Sequence, residues 1–207
     1  MNAKSAFCRF LCGGAFLLAS FANAQTQTWY LDPPHSAAQF SVKHMGISTV
    51  RGTFTKVNGV IQDSPDLSKS SVKVTIDASS VDTRVEMRDK DLRSDNFFDV
   101  AKYPTITFQS KKVESAGAGK LKVTGDLMIH GVTKEVVLDV DGPTPPFKDP
   151  KGKSHRGLSA TTTISRAAFG MTADAGMVGD DIAIQIDAEM VDQAPGPPPP
   201  PPPPPAM

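Results

Sequence analysis

Apolar residues recur at every second position along most of this chain, and that alternation constrains its fold more than any other feature, because successive side chains of a strand point to opposite faces. The pattern is clearest at Phe40-Val42-His44, Val72-Val74-Ile76, Ile106-Phe108, Leu121-Val123, Leu127-Ile129, Val136-Leu138-Val140 and Ile182-Ile184-Ile186. Lys, Thr, Ser, Asp and Gln fill the positions between, so each run has one dry and one wet face. Turn-forming residues separate the runs at Asn58-Gly59, Asp63-Ser64-Pro65-Asp66, Gly117-Ala118-Gly119 and His130-Gly131, and in the loop from Gly142 to Gly157. Short connections make neighbours antiparallel, and the absence of helices of crossover length argues against a doubly wound parallel sheet. Roughly eight runs at regular spacing predict an all-β fold, an eight-stranded antiparallel up-and-down barrel, since closure leaves no edge to aggregate. A sandwich satisfies the same alternation. The period breaks once, from Val85 through Arg93, where charged residues crowd around Met87 and Leu92. That break predicts one short helix near residues 85–94.

The two ends read differently. Lys4 and Arg9 precede an apolar stretch from Leu11 to Phe21 and then Ala22-Asn23-Ala24, a small-x-small cleavage site, so residues 1–24 read as an export signal and the mature chain starts at Gln25. The stretch is shorter than the roughly 20 apolar residues that a membrane-spanning helix needs. Both cysteines, Cys8 and Cys12, lie inside this segment, which leaves the mature chain without thiol, disulfide or cysteine-metal chemistry. Pro197 to Pro205 form an unbroken run that can neither donate backbone hydrogen bonds nor pack a core, so residues 194–207 read as a proline-rich tail outside a domain of residues 25–193. The expected location is periplasmic or secreted. The chain balances 22 basic against 22 acidic residues. Nucleic acids select for basic excess, so they are not expected as partners, and no integral membrane segment is expected in the mature chain.

Catalytic motifs are sparse. The four histidines, His35, His44, His130 and His155, form no H-E-x-x-H arrangement, and the chain has no G-x-S-x-G elbow, phosphate-binding glycine loop or paired-cysteine metal spacing. His35 and His44, with a carboxylate such as Asp32, define the alternative of a metal-dependent enzyme, although no third ligand stands out. A second alternative is a stress-related scaffold acting through the proline tail. Arg88, Asp89, Asp91 and Arg93 form either an ionic cluster closing one barrel end, a site for an anionic head group, or a solvated helix face. Phe97-Phe98, with Phe40, Phe54, Phe108 and Phe169, carries more apolar bulk than one face of a thin sheet can hide, which implies a shared interior. That interior is either packed solid or left hollow for an apolar ligand.

These residues resemble the YceI-like family of exported lipid-binding proteins. The resemblance runs in order through Tyr30-Leu31-Asp32, His35-Ser36, Phe40-Ser41-Val42-Lys43-His44 and Val50-Arg51-Gly52-Thr53-Phe54, then Val81-Asp82-Thr83, Arg88-Asp89-Lys90-Asp91-Leu92-Arg93, Phe97-Phe98-Asp99 and Tyr103-Pro104-Thr105-Ile106-Thr107-Phe108. It continues through Gly125-Asp126-Leu127, His130-Gly131-Val132-Thr133-Lys134 and Arg166-Ala167-Ala168-Phe169-Gly170-Met171. The resemblance implies a barrel of extended lipocalin-like type whose tunnel takes a long-chain isoprenoid, such as a quinone or prenyl phosphate, or a fatty amphiphile, with no cofactor and no catalysis. On that expectation Phe40, Val42, Val74, Ile76, Phe108, Leu127, Ile129 and Val137 line the tunnel, and Leu92, Phe97, Phe98 and Phe169 line its mouth. Each position serves ordinary core packing equally well. Homodimerisation stays open, since small barrels often pair. The proline tail and a hydrophilic insertion around Lys148 to Lys153 depart from the family pattern.

Overall fold

The computed structural model describes residues 25–193. The expected export signal, residues 1–24, and the proline-rich tail, residues 194–207, lie outside the described residues. Twelve strands and one helix follow in chain order: β1 Gln27–Leu31, β2 Ala37–His44, β3 Ser48–Phe54, β4 Val57–Asp63, β5 Ser71–Asp77, β6 Val81–Asp82, α1 Glu86–Arg93, β7 Thr105–Ser115, β8 Lys120–Ile129, β9 Val132–Asp141, β10 Phe147–Lys148, β11 Ser154–Ser165 and β12 Val178–Val191. Three pairs are broken halves of single walls. β1 and β2 are split by a 3₁₀ turn at Pro33–His35, β3 and β4 by two residues, and β5 and β6 by a 3₁₀ turn at Ala78–Ser80. The register confirms the grouping, because β12 faces β2 at Ile184↔Phe40 and β1 at Val191↔Tyr30, while β4 and β5 pair at Val57↔Ile76 as β3 and β6 pair at Phe54↔Val81. With β7, β8, β9, β11 and β12 this makes eight walls, each antiparallel to the next. β11 closes the ring against β12 from His155↔Val191 to Ser165↔Asp181.

Strand joints follow turn chemistry. His130 and Gly131 both take positive φ, 52° and 74°, which matches the right-handed twist of the flanking strands β8 and β9. Asn58-Gly59, in contrast, is not a turn but lies inside β4. A Cβ at Gly59 would stand 2.8 Å from Leu31 Cδ1, so the glycine is required by the close approach of β1 rather than by a reversal. The segment from Gly142 to Gly157 is also more ordered than a loop, since Phe147–Lys148 pairs with the start of β11 at Phe147↔His155.

α1 carries Glu86 and Asp89 in its first turn and Lys90 and Arg93 in its last, the arrangement that its dipole favours. Its charges divide: Glu86 and Lys90 are exposed, while Arg88, Asp89 and Arg93 bond to the protein. Buried Asp89 accepts from the backbone N–H and hydroxyl of Thr83 at 2.8 and 2.5 Å, and Arg88 donates to the same Thr83. Arg93 donates to the carbonyls of Ser79 and Val81. These bonds fasten the helix across one barrel end, where Phe40, Phe54 and Phe98 pack with ring centroids 5.8 and 5.5 Å apart.

Candidate functional site: an apolar tunnel through the barrel

The inward residues enclose a cavity of about 250 Å³ rather than a solid core. For comparison, an apolar void of about 150 Å³ is enough to hold benzene. Its length can be read along β11, where Arg156, Leu158, Ala160, Thr162, Ile164 and, just past the strand, Arg166 all line it. Ten residues at about 3.3 Å each, tilted about 40° to the barrel axis, give a tunnel about 25 Å long. An extended chain advances about 3.8 Å for every three bonds, so roughly 20 chain atoms fit end to end.

Ten of the twelve residues expected at the tunnel line it: Phe40, Val42, Val74, Ile76, Phe108, Leu127 and Ile129 along the walls, and Leu92, Phe97 and Phe98 at the α1 end. Two do not. Val137 is 42 % exposed and faces out, because the inward phase of β9 falls on Val136, Leu138 and Val140. Phe169 is buried to 1 % but sits outside the lining, in a short turn after β11 where its carbonyl meets His130 Nδ1 at 3.3 Å. On β7, an irregularity between Ser110 and Lys112 shifts the phase, so the lining passes from Ile106 and Phe108 to Val113. Ser110 uses that irregularity to accept from the Val72 N–H at 2.8 Å.

The end opposite α1 is polar in a way that no local motif announces. Arg156 and Asp63 form an ion pair there, and Arg156 also donates to the Thr144 carbonyl and lies 5.4 Å from the Trp29 ring centroid. Trp29 is 3 % exposed and lines the tunnel, and its indole N–H has no hydrogen-bond acceptor among the described residues. At the α1 end, buried Arg166 is fully engaged, donating to the carbonyls of Gly179, Met171, Ala173 and Val178.

His35 and His44 do not converge. They stand at opposite ends of β2, about 25 Å apart at about 3.3 Å per residue. His35 instead meets Asp32, Nδ1 to Oδ2 2.7 Å, and Glu189 of β12 on the outer wall. Glu189 in turn accepts from His155, whose other ring nitrogen faces Asp149 at 3.4 Å. The hydrogen bond to Asp32 holds the His35 pKa above the ordinary value, and that to Glu189 does the same for His155. The Lys153 backbone N–H, with His155, holds Asp149 below the ordinary carboxylate value.

A closed up-and-down barrel around an apolar tunnel, capped by one short helix, defines a lipocalin-like architecture. The chain belongs to the YceI-like family: the model of the YceI-like domain matches residues 29–190. It is similar to UPF0312 proteins of Ectopseudomonas mendocina, 35% identical over 88% of this chain and 93% of that relative, and of Vibrio parahaemolyticus, 36% identical over 77% and 86%. The Campylobacter jejuni YceI crystal structure shares 35% identity and a TM-score of 0.65 over 73% of this chain and 90% of that one. The same fold recurs in a polyisoprenoid-binding domain from Saccharophagus degradans, with TM-score 0.60 and 17% identity over 79% and 98% of the two chains. Among the described residues no helix is long and apolar enough to cross a membrane.

Proposed function

We propose that this chain is an exported carrier that holds one long-chain lipid, a polyisoprenoid or another fatty amphiphile, inside the barrel in the periplasm. The observation that carries this reading is the tunnel itself, about 25 Å long by strand geometry and lined along its walls by aliphatic and aromatic side chains. Burial of a CH₂ group contributes about 0.8 kcal/mol, so a chain of roughly 20 carbons supplies about 16 kcal/mol before an association cost of about 4–15 kcal/mol. Affinity therefore comes from length, and specificity for the chain is loose. The polar head rests at the Arg156–Asp63 end, where the Trp29 N–H offers a hydrogen bond that no group among the described residues takes. The polyisoprenoid-binding domain of Saccharophagus degradans, which shares the fold, supports the same reading.

Trp29 is the single tryptophan of the chain and lines the tunnel, so its emission reports occupancy. Titrating the delipidated protein with a long-chain prenyl quinone is expected to quench that emission to saturation at one equivalent. Emission that stays unchanged, while the quinone partitions only into detergent, would overturn the carrier reading.

A further inference from the structure

The geometry points to a second site, on the outer wall, that takes a divalent transition cation of the zinc class through Asp32, His35 and Glu189. One ligand atom from each of these side chains lies within 4.8 Å of the other two, and the group mixes an imidazole nitrogen with two carboxylate oxygens. Tetrahedral zinc with bonds of about 2.0–2.2 Å holds its ligand atoms about 3.4 Å apart, a spacing that lies between the 2.7 Å of the His35–Asp32 contact and the 4.8 Å that bounds the cluster.

The backbone around the site is already fixed. Pro33–His35 breaks the wall between β1 and β2 and turns His35 back over β12. Glu189 is clamped on both sides of its peptide: its carbonyl accepts from the Asp32 N–H at 2.9 Å and the Ser36 hydroxyl at 3.2 Å, and its N–H donates to the same Ser36 hydroxyl at 3.2 Å. The Glu189 carboxylate is held by His155 Nδ1 at 2.7 Å, and His155 is oriented in turn by Asp149. That is the outer shell a metal-binding carboxylate needs to keep its lone pairs aimed. Cation entry displaces the proton shared by His35 and Asp32 to solvent. The bound ion ties the broken wall to β12 directly behind Leu31 and Met190, two tunnel residues that neighbour Asp32 and Glu189 in the chain. Chain proximity signals only Asp32 and His35. Glu189 arrives from the last strand through the closure of the barrel.

The test is competition between the tag-free chain and a chromophoric chelator for Zn²⁺, with Co²⁺ as a spectroscopic stand-in. The chain is expected to take one equivalent, and Co²⁺ to show the intense visible bands of a tetrahedral site. His35→Ala and Glu189→Gln, each checked for a parent-like circular dichroism spectrum, are expected to weaken Zn²⁺ at least tenfold, and His155→Ala about tenfold through loss of the outer shell. His44→Ala, at the far end of β2, is expected to bind as the parent does. A folded parent chain that retains no zinc, or zinc affinity unchanged in both His35→Ala and Glu189→Gln, would overturn the proposal.

Discussion

Ala160 sits midway along β11, faces the tunnel at 3 % exposure, and is flanked along the strand by Leu158 and Thr162. Replacing it with phenylalanine sets a ring across the passage, and the stability change separates a hollow interior from a packed one. In a packed core the extra ring forces neighbours off their rotamers at about 1–3 kcal/mol. For a domain of this size each kcal/mol shifts Tm by about 2–4 °C, so a packed barrel would lose about 2–12 °C. In a cavity of about 250 Å³ the ring instead enters empty apolar space. There its burial contributes about 1.5–3 kcal/mol, which offsets the ordering of the side chain. Delipidated Ala160→Phe is therefore expected to melt at or above the delipidated parent in differential scanning calorimetry. Its lipid content, by organic extraction, is expected to fall at least tenfold, because the ring divides a passage about 25 Å long into two short ones. Val137→Phe, on the outer face of β9, serves as the control and leaves both quantities unchanged. A Tm loss in the 2–12 °C range together with parent-like lipid loading would refute the hollow-barrel reasoning.

The phase of β9 predicts that Leu138→Lys destabilises by at least about 2 kcal/mol in urea titrations while Val137→Lys stays within about 0.5 kcal/mol, because only the first places a charge in the apolar interior. Arg166→Met strips four carbonyls of their donor in a buried site, and a loss of about 3–5 kcal/mol is expected in the same assay. Gly59→Ala puts a methyl group 2.8 Å from Leu31 Cδ1 and 3.0 Å from the Lys73 carbonyl, with an expected cost of about 1–3 kcal/mol. The raised pKa values of His35 and His155 give stability that is fully present below the unfolded value of 6.5 and is lost as pH rises through the folded values. The depressed pKa of Asp149 acts in the opposite direction, its contribution being lost as pH falls through the folded value. The urea midpoint is thus expected to decline from pH 6 to pH 8 in the parent and to flatten in the double variant His35→Gln/His155→Gln. A slope retained in that variant would place the titration elsewhere.

The walls with one wet face were legible residue by residue. Val72-Val74-Ile76 in β5, Leu127-Ile129 in β8 and Ile182-Ile184-Ile186 in β12 all point inward as their alternation requires. Where legibility failed, the deciding contact was distant in sequence. The irregularity that moves the inward phase of β7 to Val113 is set by pairing with β8 and by Ser110 reaching Val72 on β5. Gly59 has the local chemistry of a turn, yet its role is to admit Leu31 from a neighbouring wall. The alternation Val136-Leu138-Val140 already set the inward phase of β9, so the expectation of Val137 in the tunnel ran against that pattern, and the β8 pairing places Val137 opposite Thr124 on the outer face. The polar tunnel end joins Asp63 to Arg156 across 93 positions, and the Asp32–His35 pair gains Glu189 only because the last strand closes on the first. Short-range pattern thus reports which face of a strand is dry, while the polar contacts at the tunnel end and on the outer wall depend on how the ring closes.

The carrier function depends on the tunnel being filled by lipid in the cell. The direct measurement is native mass spectrometry of the tag-free chain purified without detergent from a bacterial periplasm, followed by organic extraction of the same sample. A loaded carrier gives a second charge-state series heavier than the bare chain by the mass of one long-chain lipid, with that lipid recovered near one equivalent in the extract. A single series at the mass of the bare chain, with no hydrocarbon-chain species in the extract, would refute the carrier reading.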